Sequence, residues 1–419
     1  MLMKELNFEK TMLGNGAPLY VMHMPHAHSV AAGIFVKGGT RDEIWPKEAG
    51  LAHALEHMSF QGTKNFPTSK DLSAYLEEIG GDHNAWTSSE GTFYHNRVPV
   101  SHKDRGFRVL AEMLREPLIP QDKIRIEMKN IIEEIRRAND DPDQFLGLLD
   151  QGFVYGSHPL GKNTLGTIES VSGFTQDNFL EFRRRYYRVH NYVFLVAGNI
   201  TVEEAKQAFE EFFSSDKDEQ SINVYEPAPL GTVLERKLVH KKDLEQVHIC
   251  LSAPLGKGLE KTTRSIGTFS TMLSGGMSFP LFQEVRDKRG LCYEIHANVS
   301  RDSDVGEFSI VIGTDPKRYQ EAVDVSLSLI SQCKNDGALL KKAKDLVLGN
   351  LAMRFENTGG IIQIASHYTM INGYPKGYDE LVQDINEITI QDVSSAVDQY
   401  LKPENIRQVL LMPKDLEVK

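Results

Sequence analysis

Two stretches of the sequence, each late in one half of the chain, resemble each other. The first starts at Thr175 and reads TQDNFLEFRRRYYRVHNYVFLVAG, and the second starts at Thr389 and reads TIQDVSSAVDQYLKPENIRQVLLMP. They are offset by about 214 residues. Self-similarity at a fixed distance indicates a duplicated unit. We therefore expect the chain to fold into two similar units placed one after the other in the sequence.

The predicted elements that precede these stretches follow a similar order in both halves. In the first half, apolar periodicity predicts a strand at Ser29–Val36, a helix that carries His53–His57, a helix at Ser69–Ile79, and strands that continue to Val98. In the second half it predicts a strand at Val247–Ala253, helices at Thr263–Leu273 and Phe279–Arg286, strands from Cys292, and helices at Pro316–Cys333 and Gly337–Met353. Grouped strands followed by helices predict an α+β fold rather than a doubly wound parallel sheet.

The length of the chain and one polar stretch predict where the two units divide. A chain of 419 residues is too long for one ordinary core, since domains usually hold about 100 to 200 residues. The polar, turn-rich stretch SSDKDEQSINVYEPAPLG at 214–231 separates the two apolar-periodic regions and is typical of a linker. We expect an N-terminal domain over 1–213 and a homologous C-terminal domain over 232–419.

Charge and cysteine content exclude several classes of protein. A net charge of -11 would repel a phosphate backbone, so nucleic acid is not an expected partner. The three cysteines are odd in number and widely spaced, which argues against a disulfide framework and for a reducing compartment. No signal peptide and no stretch of about 20 apolar residues is present, so we expect a cytoplasmic protein without a membrane partner.

A short motif in the first half predicts a metal site. His53, Glu56 and His57 lie in the apolar segment AGLAHALEHMSF, whose residues favour a helix. Positions i, i+3 and i+4 share one helical face, so two imidazoles and a carboxylate converge there. Two imidazoles and one carboxylate suit a single zinc ion and leave a position for water. The alternative is an ordinary helix whose two histidines are satisfied by hydrogen bonds.

A second acidic segment, EMKNIIEEI, offers the carboxylate that the motif lacks. Glu127 and Glu134 are two helical turns apart and share a face, whereas Glu133 is rotated by about 100 degrees. We therefore expect His53, His57 and Glu134 to be the metal ligands. Glu56 is then free to act as the general base. Glu127 is expected to lie outside the ligand set and to orient one of the ligands.

Several motifs together resemble the pitrilysin family of inverted zinc peptidases, including its shorter bacterial members. Besides HALEH and EMKNIIEEI, the chain contains GGDHNAWTSSEGTFYH, YGSHPLGKNTLG, NYVFLVAGNI and LSGGMSFPLFQEVRDKRGLCY, in the order of that family. The resemblance implies two α/β-roll domains that face each other across a cleft, with one zinc ion on the N-terminal domain. It also implies a peptide or unfolded polypeptide as substrate, and a homodimer or a heterodimer with a related subunit.

The resemblance also implies roles for residues outside the metal site. The segment Asn84, Ala85 and Trp86 is similar to the edge strand on which the family holds the substrate backbone, a mode of binding that tolerates many sequences. Arg286 and Tyr293 match an arginine and tyrosine pair that reaches the zinc site and stabilises the oxyanion. Pro280 departs from the family's pattern, although proline fits the first turn of a helix.

These residues predict a zinc-dependent endopeptidase in which Glu56 deprotonates the attacking water. The alternative function is a noncatalytic or regulatory chamber subunit of a complex similar to a processing peptidase. The full set of candidate ligands argues against that alternative, because a scaffold has no physical need for convergent metal donors.

Overall fold

The structure is a computed structural model of the chain, and it describes residues 6–214, 225–228, 236–241 and 244–414. One sheet in the described residues has the spatial order β1-β2-β6-β3-β5-β4. Its strands are β1 (Glu9–Met12), β2 (Pro18–His23), β3 (Ser29–Val36), β4 (Asp82–Thr87), β5 (Thr92–Pro99) and β6 (Tyr192–Gly198). A second sheet has the order β7-β11-β8-β10-β9. Its strands are β7 (Arg236–Lys241), β8 (Val247–Leu255), β9 (Cys292–Arg301), β10 (Gly306–Thr314) and β11 (Arg407–Pro413).

Five strands of the first sheet repeat the order of the second, with β1 as an additional edge strand, which agrees with the predicted duplication. In the first sheet, β6 pairs in parallel with β2 and antiparallel with β3. In the second sheet, β11 pairs in parallel with β7 and antiparallel with β8. The similar stretches found in the sequence form the same elements in both halves: a helix that starts after Thr175 or Thr389, followed by β6 or β11. The α+β fold class is confirmed.

Helices account for most of the rest of the described chain. Those of the first half are α1 (Leu51–Ser59), α2 (Ser69–Glu77), α3 (Lys103–Arg115), α4 (Gln121–Asp140), α5 (Pro142–Tyr155), α6 (Ile168–Ser172), α7 (Gln176–Tyr186) and α8 (Val202–Phe213). Those of the second half are α9 (Lys261–Ser274), α10 (Tyr319–Cys333), α11 (Gly337–Arg354), α12 (Thr358–Asn372), α13 (Tyr378–Asn386) and α14 (Ile390–Tyr400). None of the helices in the described ranges is long and apolar enough to cross a membrane.

The compact units are not contiguous in sequence, which differs from the expected division into 1–213 and 232–419. The first unit is drawn from Met1–Arg137, Lys162–Glu226 and Ala352–Leu381, and the second from Ala138–Gly161, Pro227–Leu351 and Val382–Lys419. Most of the expected linker at 214–231 lies outside the described residues.

Two helices explain the difference, because each packs on the sheet of the other half. Helix α12 packs on β3 and β6 in the first unit, and α5 packs on β8 and β11 in the second. Strand β6 is buried along its whole length and β3 along nearly all of it, so both faces of that sheet are covered by helices. Sequence periodicity shows that such strands are buried, but it does not show which helix covers the second face.

Candidate metal centre

Helix α1, which carries the motif, starts at a glycine that the local packing requires. Gly50 caps the helix with a φ of 85°, and a Cβ built on it would lie 2.5 Å from the backbone oxygen of Leu165. The buried carboxylate of Glu43 accepts the backbone N–H groups of Gly50 at 3.0 Å and of Ala52 at 2.9 Å. It therefore satisfies donors that have no partner within the helix. Glu43 fixes the start of the helix on which His53, Glu56 and His57 stand.

Replacing Glu43 with alanine should destabilise the fold by about 2 kcal/mol, because two buried N–H groups would lose their acceptor. Glu43→Gln should cost less than Glu43→Ala, because the amide oxygen can still accept one of the two N–H groups. Urea denaturation of both variants measures the effect. The control is Glu133→Ala, which removes an exposed carboxylate and should change stability by less than about 0.5 kcal/mol. Equal stability of Glu43→Ala and wild type would refute this capping role.

The structure brings His53, His57 and Glu134 together. One donor atom from each lies within 4.8 Å of the others. The Nε2 atoms of His53 and His57 are 3.8 and 3.9 Å from Oε2 of Glu134. In the described residues, this is the one group of three or more His, Cys, Asp or Glu side chains with such spacing. Two imidazole nitrogens and a carboxylate oxygen around one point form a donor set that fits zinc.

Protonation of the two histidines differs because their surroundings differ. Burial lowers the pKa of His53 to about 3, with a further contribution from His57, so its imidazole is neutral near pH 7. Burial also lowers the pKa of His57, but its hydrogen bond to Glu127 and the charges of Glu56 and Glu134 outweigh that effect, and the pKa is raised overall. The neutral His53 ring can bind a cation directly, whereas at His57 the raised pKa makes protons stronger competitors of the cation than at an ordinary histidine.

Helix α4 places Glu127 next to His57, outside the group of candidate ligands, and Glu133 at the protein surface. Oε2 of Glu127 lies 3.3 Å from Nδ1 of His57 and can accept a hydrogen bond from it. When Nδ1 carries the proton of the neutral ring, the other nitrogen, Nε2, is unprotonated and faces Oε2 of Glu134. The hydrogen bond to His57 is also the main reason why the pKa of Glu127 is lowered. Glu133 is exposed and pairs with Arg136 at 2.5 Å. Two helical turns thus place Glu127 and Glu134 on the face that the spacing predicts.

Removing the Glu127 side chain should weaken metal binding by about 10- to 100-fold, because His57 would lose the group that fixes its ring and tautomer. Competition with a coloured chelator measures the affinity of Glu127→Ala against wild type. The variant Glu133→Ala, which removes an exposed carboxylate from the same helix, serves as the control. Unchanged zinc affinity in Glu127→Ala would contradict this role.

Glu56 lies on the same helical turn as the ligand group and has a separate hydrogen-bond partner. Thr87 donates its hydroxyl to Oε2 of Glu56 at 2.5 Å. Burial raises the pKa of Glu56, and the negative charge of Glu134 acts in the same direction, while Thr87 and His57 act against them. A carboxyl group with a raised pKa is a better proton acceptor, which suits a general base.

The candidate substrate strand, with Asn84, Ala85 and Trp86, is the terminal strand β4 of its sheet. In the described part of the chain, one edge of β4 pairs with β5 and the other has no partner strand. The N–H of Ala85 donates to Oδ1 of Asn84 at 2.8 Å. The indole of Trp86 donates to Gln363 of α12 at 3.2 Å, and the Gln363 amide is also 2.8 Å from His95 on β5. Gln363 thus links the Trp86 side chain on β4 to the His95 side chain on β5.

Arg286 and Tyr293 belong to the second unit and lie next to each other. The Arg286 guanidinium is 4.6 Å from the centre of the Tyr293 ring and 4.7 Å from that of Phe282. Arg286 stands on a π-helical turn, Phe282–Asp287, which begins soon after Pro280 has opened a helical turn as expected. Tyr293 is 74% exposed, so its phenol is available to a partner molecule. Their role at the metal site stays a prediction.

Three residues of the first unit contribute to the site without a signal in the sequence. Glu43 caps α1, Thr87 holds Glu56, and Gln363 holds Trp86. Strand alternation places Thr87 on the same face of β4 as Ala85, but it does not show that Glu56 lies opposite. Gln363 is too distant in sequence for any local pattern to connect it with β4.

Family models match most of the chain. The model described as Insulinase (Peptidase family M16) matches residues 20–168, and that described as Peptidase M16 inactive domain matches residues 173–347. The chain belongs to peptidase family M16. This is the pitrilysin family that the motifs resemble, so the resemblance is confirmed. The insulinase model covers His53, His57 and Glu134, and the model described as inactive covers most of the second half, which has no H-x-x-E-H motif.

Relatives in the M16 family match the chain over nearly its whole length. The chain is 30% identical over 411 residues to an uncharacterised zinc protease of Bacillus subtilis (strain 168), covering 95% of this chain and 97% of that protein. It is also 30% identical over 419 residues to an uncharacterised zinc protease of Rickettsia bellii (strain RML369-C), covering 96% and 99%.

Solved structures share the fold. A protease from Helicobacter pylori has a TM-score of 0.90 at 22% identity and covers 98% of this chain and 100% of that chain. A structure from Pseudomonas fluorescens described as a peptidase M16 inactive domain has a TM-score of 0.89 at 16% identity, with 99% of each chain covered. At such identities the likeness concerns the fold alone, and the fold is that of two-domain M16 peptidases.

Proposed function

We propose that this M16 chain is a zinc-dependent endopeptidase that cleaves peptides or unfolded protein segments. One observation carries the proposal: the donors of His53, His57 and Glu134 converge within 4.8 Å, and Glu56 stands beside them without being needed as a donor. A metal group and an independent carboxylate are what hydrolysis by activated water requires.

One zinc ion per chain would be held by His53, His57 and Glu134. When bound, zinc supplies a Lewis acid that polarises the scissile carbonyl and lowers the pKa of a water molecule to about 7. Glu127 keeps the His57 ring in the orientation that directs Nε2 toward Glu134. Glu56 accepts the proton of the attacking water and then donates it to the leaving amine.

The edge strand β4 supports the assignment of a peptide as substrate. An extended chain can add to this edge through main-chain hydrogen bonds, which gives affinity with little sequence selectivity. A substrate carbonyl would replace Oδ1 of Asn84 as the acceptor for Ala85 N–H. The hydrogen bond from the Trp86 indole to Gln363 holds this end of the strand in place while the peptide binds.

Arg286 and Tyr293 are proposed to stabilise the oxyanion of the tetrahedral intermediate. A guanidinium and a phenol are both strong donors, and each such donor contributes about 10²- to 10³-fold to the rate of acyl-transfer enzymes. The stacking of Arg286 on the Tyr293 ring and the exposure of that ring support a joint role.

We also propose that the chain works as a homodimer or with a related subunit, which light scattering after size-exclusion chromatography would test.

The proposal is tested by metal analysis combined with a cleavage assay. The protein purified without chelators should contain about one zinc per chain and cut internally quenched unfolded peptides. A chelator should abolish cleavage, and added zinc should restore it. A chain that takes up no zinc and cleaves no peptide with zinc added would instead support a noncatalytic chamber subunit.

Zinc retention should fall as the pH falls, because protons compete for His57. Its pKa is raised in the metal-free chain, so below that pKa the ring is protonated and must lose a proton to bind the cation. For one competing proton, the apparent affinity decreases by about tenfold per pH unit in that range. Equilibrium dialysis between pH 8 and 5 measures it. An affinity that is the same at both ends would show that His57 is not a ligand.

A further inference from the structure

A chain of hydroxyl groups leads from Glu56 into the core of the first unit, starting at the half-buried Thr87. Oγ1 of Thr87, which donates to Glu56, lies 3.3 Å from Oγ1 of Thr92, its neighbour on β5. Thr92 is hydrogen-bonded to the phenol of Tyr187, which follows α7. Tyr187 is 2.7 Å from the phenol of Tyr94. None of these contacts involves a metal ligand.

The hydroxyl chain returns to the helix from which it starts. The Tyr94 phenol lies 3.3 Å from Oγ of Ser59, and Ser59 donates to the backbone oxygen of Leu55, both on α1. Thr92, Tyr94 and Ser59 are fully buried. Hydroxyls in such surroundings keep their partners, because an unpaired buried polar group costs about 1 to 3 kcal/mol. The contacts tie Glu56 to β4, β5 and the body of its own helix.

The ionised form of Glu56, which a base requires, fixes the direction of donation. A carboxylate has acceptors only, so the Thr87 hydroxyl donates its proton to Oε2 of Glu56. The Thr92 hydroxyl has two further partners, the phenol of Tyr187 and the backbone oxygen of Gly38 at 3.4 Å. The result is a directed hydrogen bond on one oxygen of Glu56, Oε2.

We infer that Thr87 is a positioning residue that holds Oε2 of Glu56, so that Oε1 is the oxygen presented to the attacking water. The inference rests on the proposed peptidase function and adds a residue to it. Glutamate has three side-chain torsions, and without a partner its carboxylate would occupy several rotamers. A displacement of about 1 Å in a reacting group can lower a rate by 10²-fold.

Two substitutions at position 87 separate the hydroxyl from the bulk of the side chain. Thr87→Val has nearly the same shape and lacks the hydroxyl, and Thr87→Ser keeps it. With zinc content matched, we expect Thr87→Val to lower kcat by at least about tenfold with KM within about twofold, and Thr87→Ser to stay within about threefold of wild type. Equal losses in both variants, or none in Thr87→Val, would overturn the inference.

A double-variant cycle shows whether Thr87 acts through Glu56. Glu56→Asp keeps a carboxylate but shortens it by one methylene group, so it no longer reaches Thr87. In that background Thr87→Val should add less than about a twofold loss of kcat. The same loss as in the wild-type background would mean that Thr87 acts by another route and would refute the assignment.

Crystal structures of the metal-free variants provide a readout that does not depend on activity. In Thr87→Val, the Glu56 carboxylate should leave its wild-type position or occupy several rotamers, whereas in Thr87→Ser it should stay within about 0.5 Å. An unmoved carboxylate in Thr87→Val would overturn the inference even if the chain cleaves nothing. Failure of the proposed function is separate: it would show as zinc-loaded wild type without cleavage.

Discussion

Glu56→Gln should retain its zinc and lose peptide cleavage by about 10²- to 10⁴-fold in kcat, because glutamine cannot accept a proton from water. The amide has almost the same shape, and its oxygen can still accept the Thr87 hydroxyl, so the helix and the ligand group should be unchanged. KM should change little, since the lost interaction belongs to the transition state. Zinc content by elemental analysis and steady-state kinetics on one quenched peptide measure the two effects.

The control for Glu56→Gln is Glu133→Gln, which makes the same chemical change on an exposed side chain paired with Arg136. It should keep both zinc and full activity. Cleavage by Glu56→Gln at the wild-type rate would show that another group is the base. Loss of zinc from the same variant would show that Glu56 is a ligand, and the roles of Glu56 and Glu134 would have to be exchanged.

Glu134→Ala should bind zinc far more weakly than wild type and should be inactive without a large excess of the metal. Removing an outer partner of a ligand costs about 10- to 100-fold in affinity, and removing a ligand itself should cost more. Zinc content should fall from about one to less than about 0.1 per chain after dialysis. The reason is geometric: Oε2 of Glu134 is near the Nε2 atoms of both His53 and His57.

The adjacent residue provides a matched control for Glu134→Ala. Glu133→Ala removes the same side chain one position earlier on α4, where it points to solvent. Its zinc content and kcat should equal those of wild type. In the presence of a chelator, both variants should unfold within about 0.5 kcal/mol of wild type, because neither side chain is in the core. If the two variants lost zinc equally, the assignment of the third ligand would fail.

Patterns of fixed geometry made much of the site predictable. Helical periodicity places His53, Glu56 and His57 on one face of α1, and a spacing of seven residues places Glu127 and Glu134 on one face of α4. The strand expected at Ser29–Val36 has those same bounds in the structure. The internal repeat likewise predicted two similar units, and five strands of each sheet follow a common order.

Contacts between segments far apart in sequence were not predictable in this way. A capping carboxylate is recognised in a sequence when it stands next to its helix, whereas Glu43 reaches α1 across an intervening loop. Helices α5 and α12 have ordinary sequences for packed helices, and nothing local assigns them to one sheet rather than the other. The roles of Asn84, Arg286 and Tyr293 come from the resemblance alone and stay predictions.

The sequence by itself determined the donors and the repeat: His53 and His57 on one helical turn, Glu134 in phase with Glu127, and two halves with a common order of elements. These follow from distances that helices and strands fix within a few turns. Only the tertiary structure decided that α4 meets α1 through Glu134, that Thr87 holds Glu56, and that each sheet is covered by a helix from the other half. The physical reason is that periodicity tells which side of an element is buried, while the partner across that surface depends on how the whole chain packs.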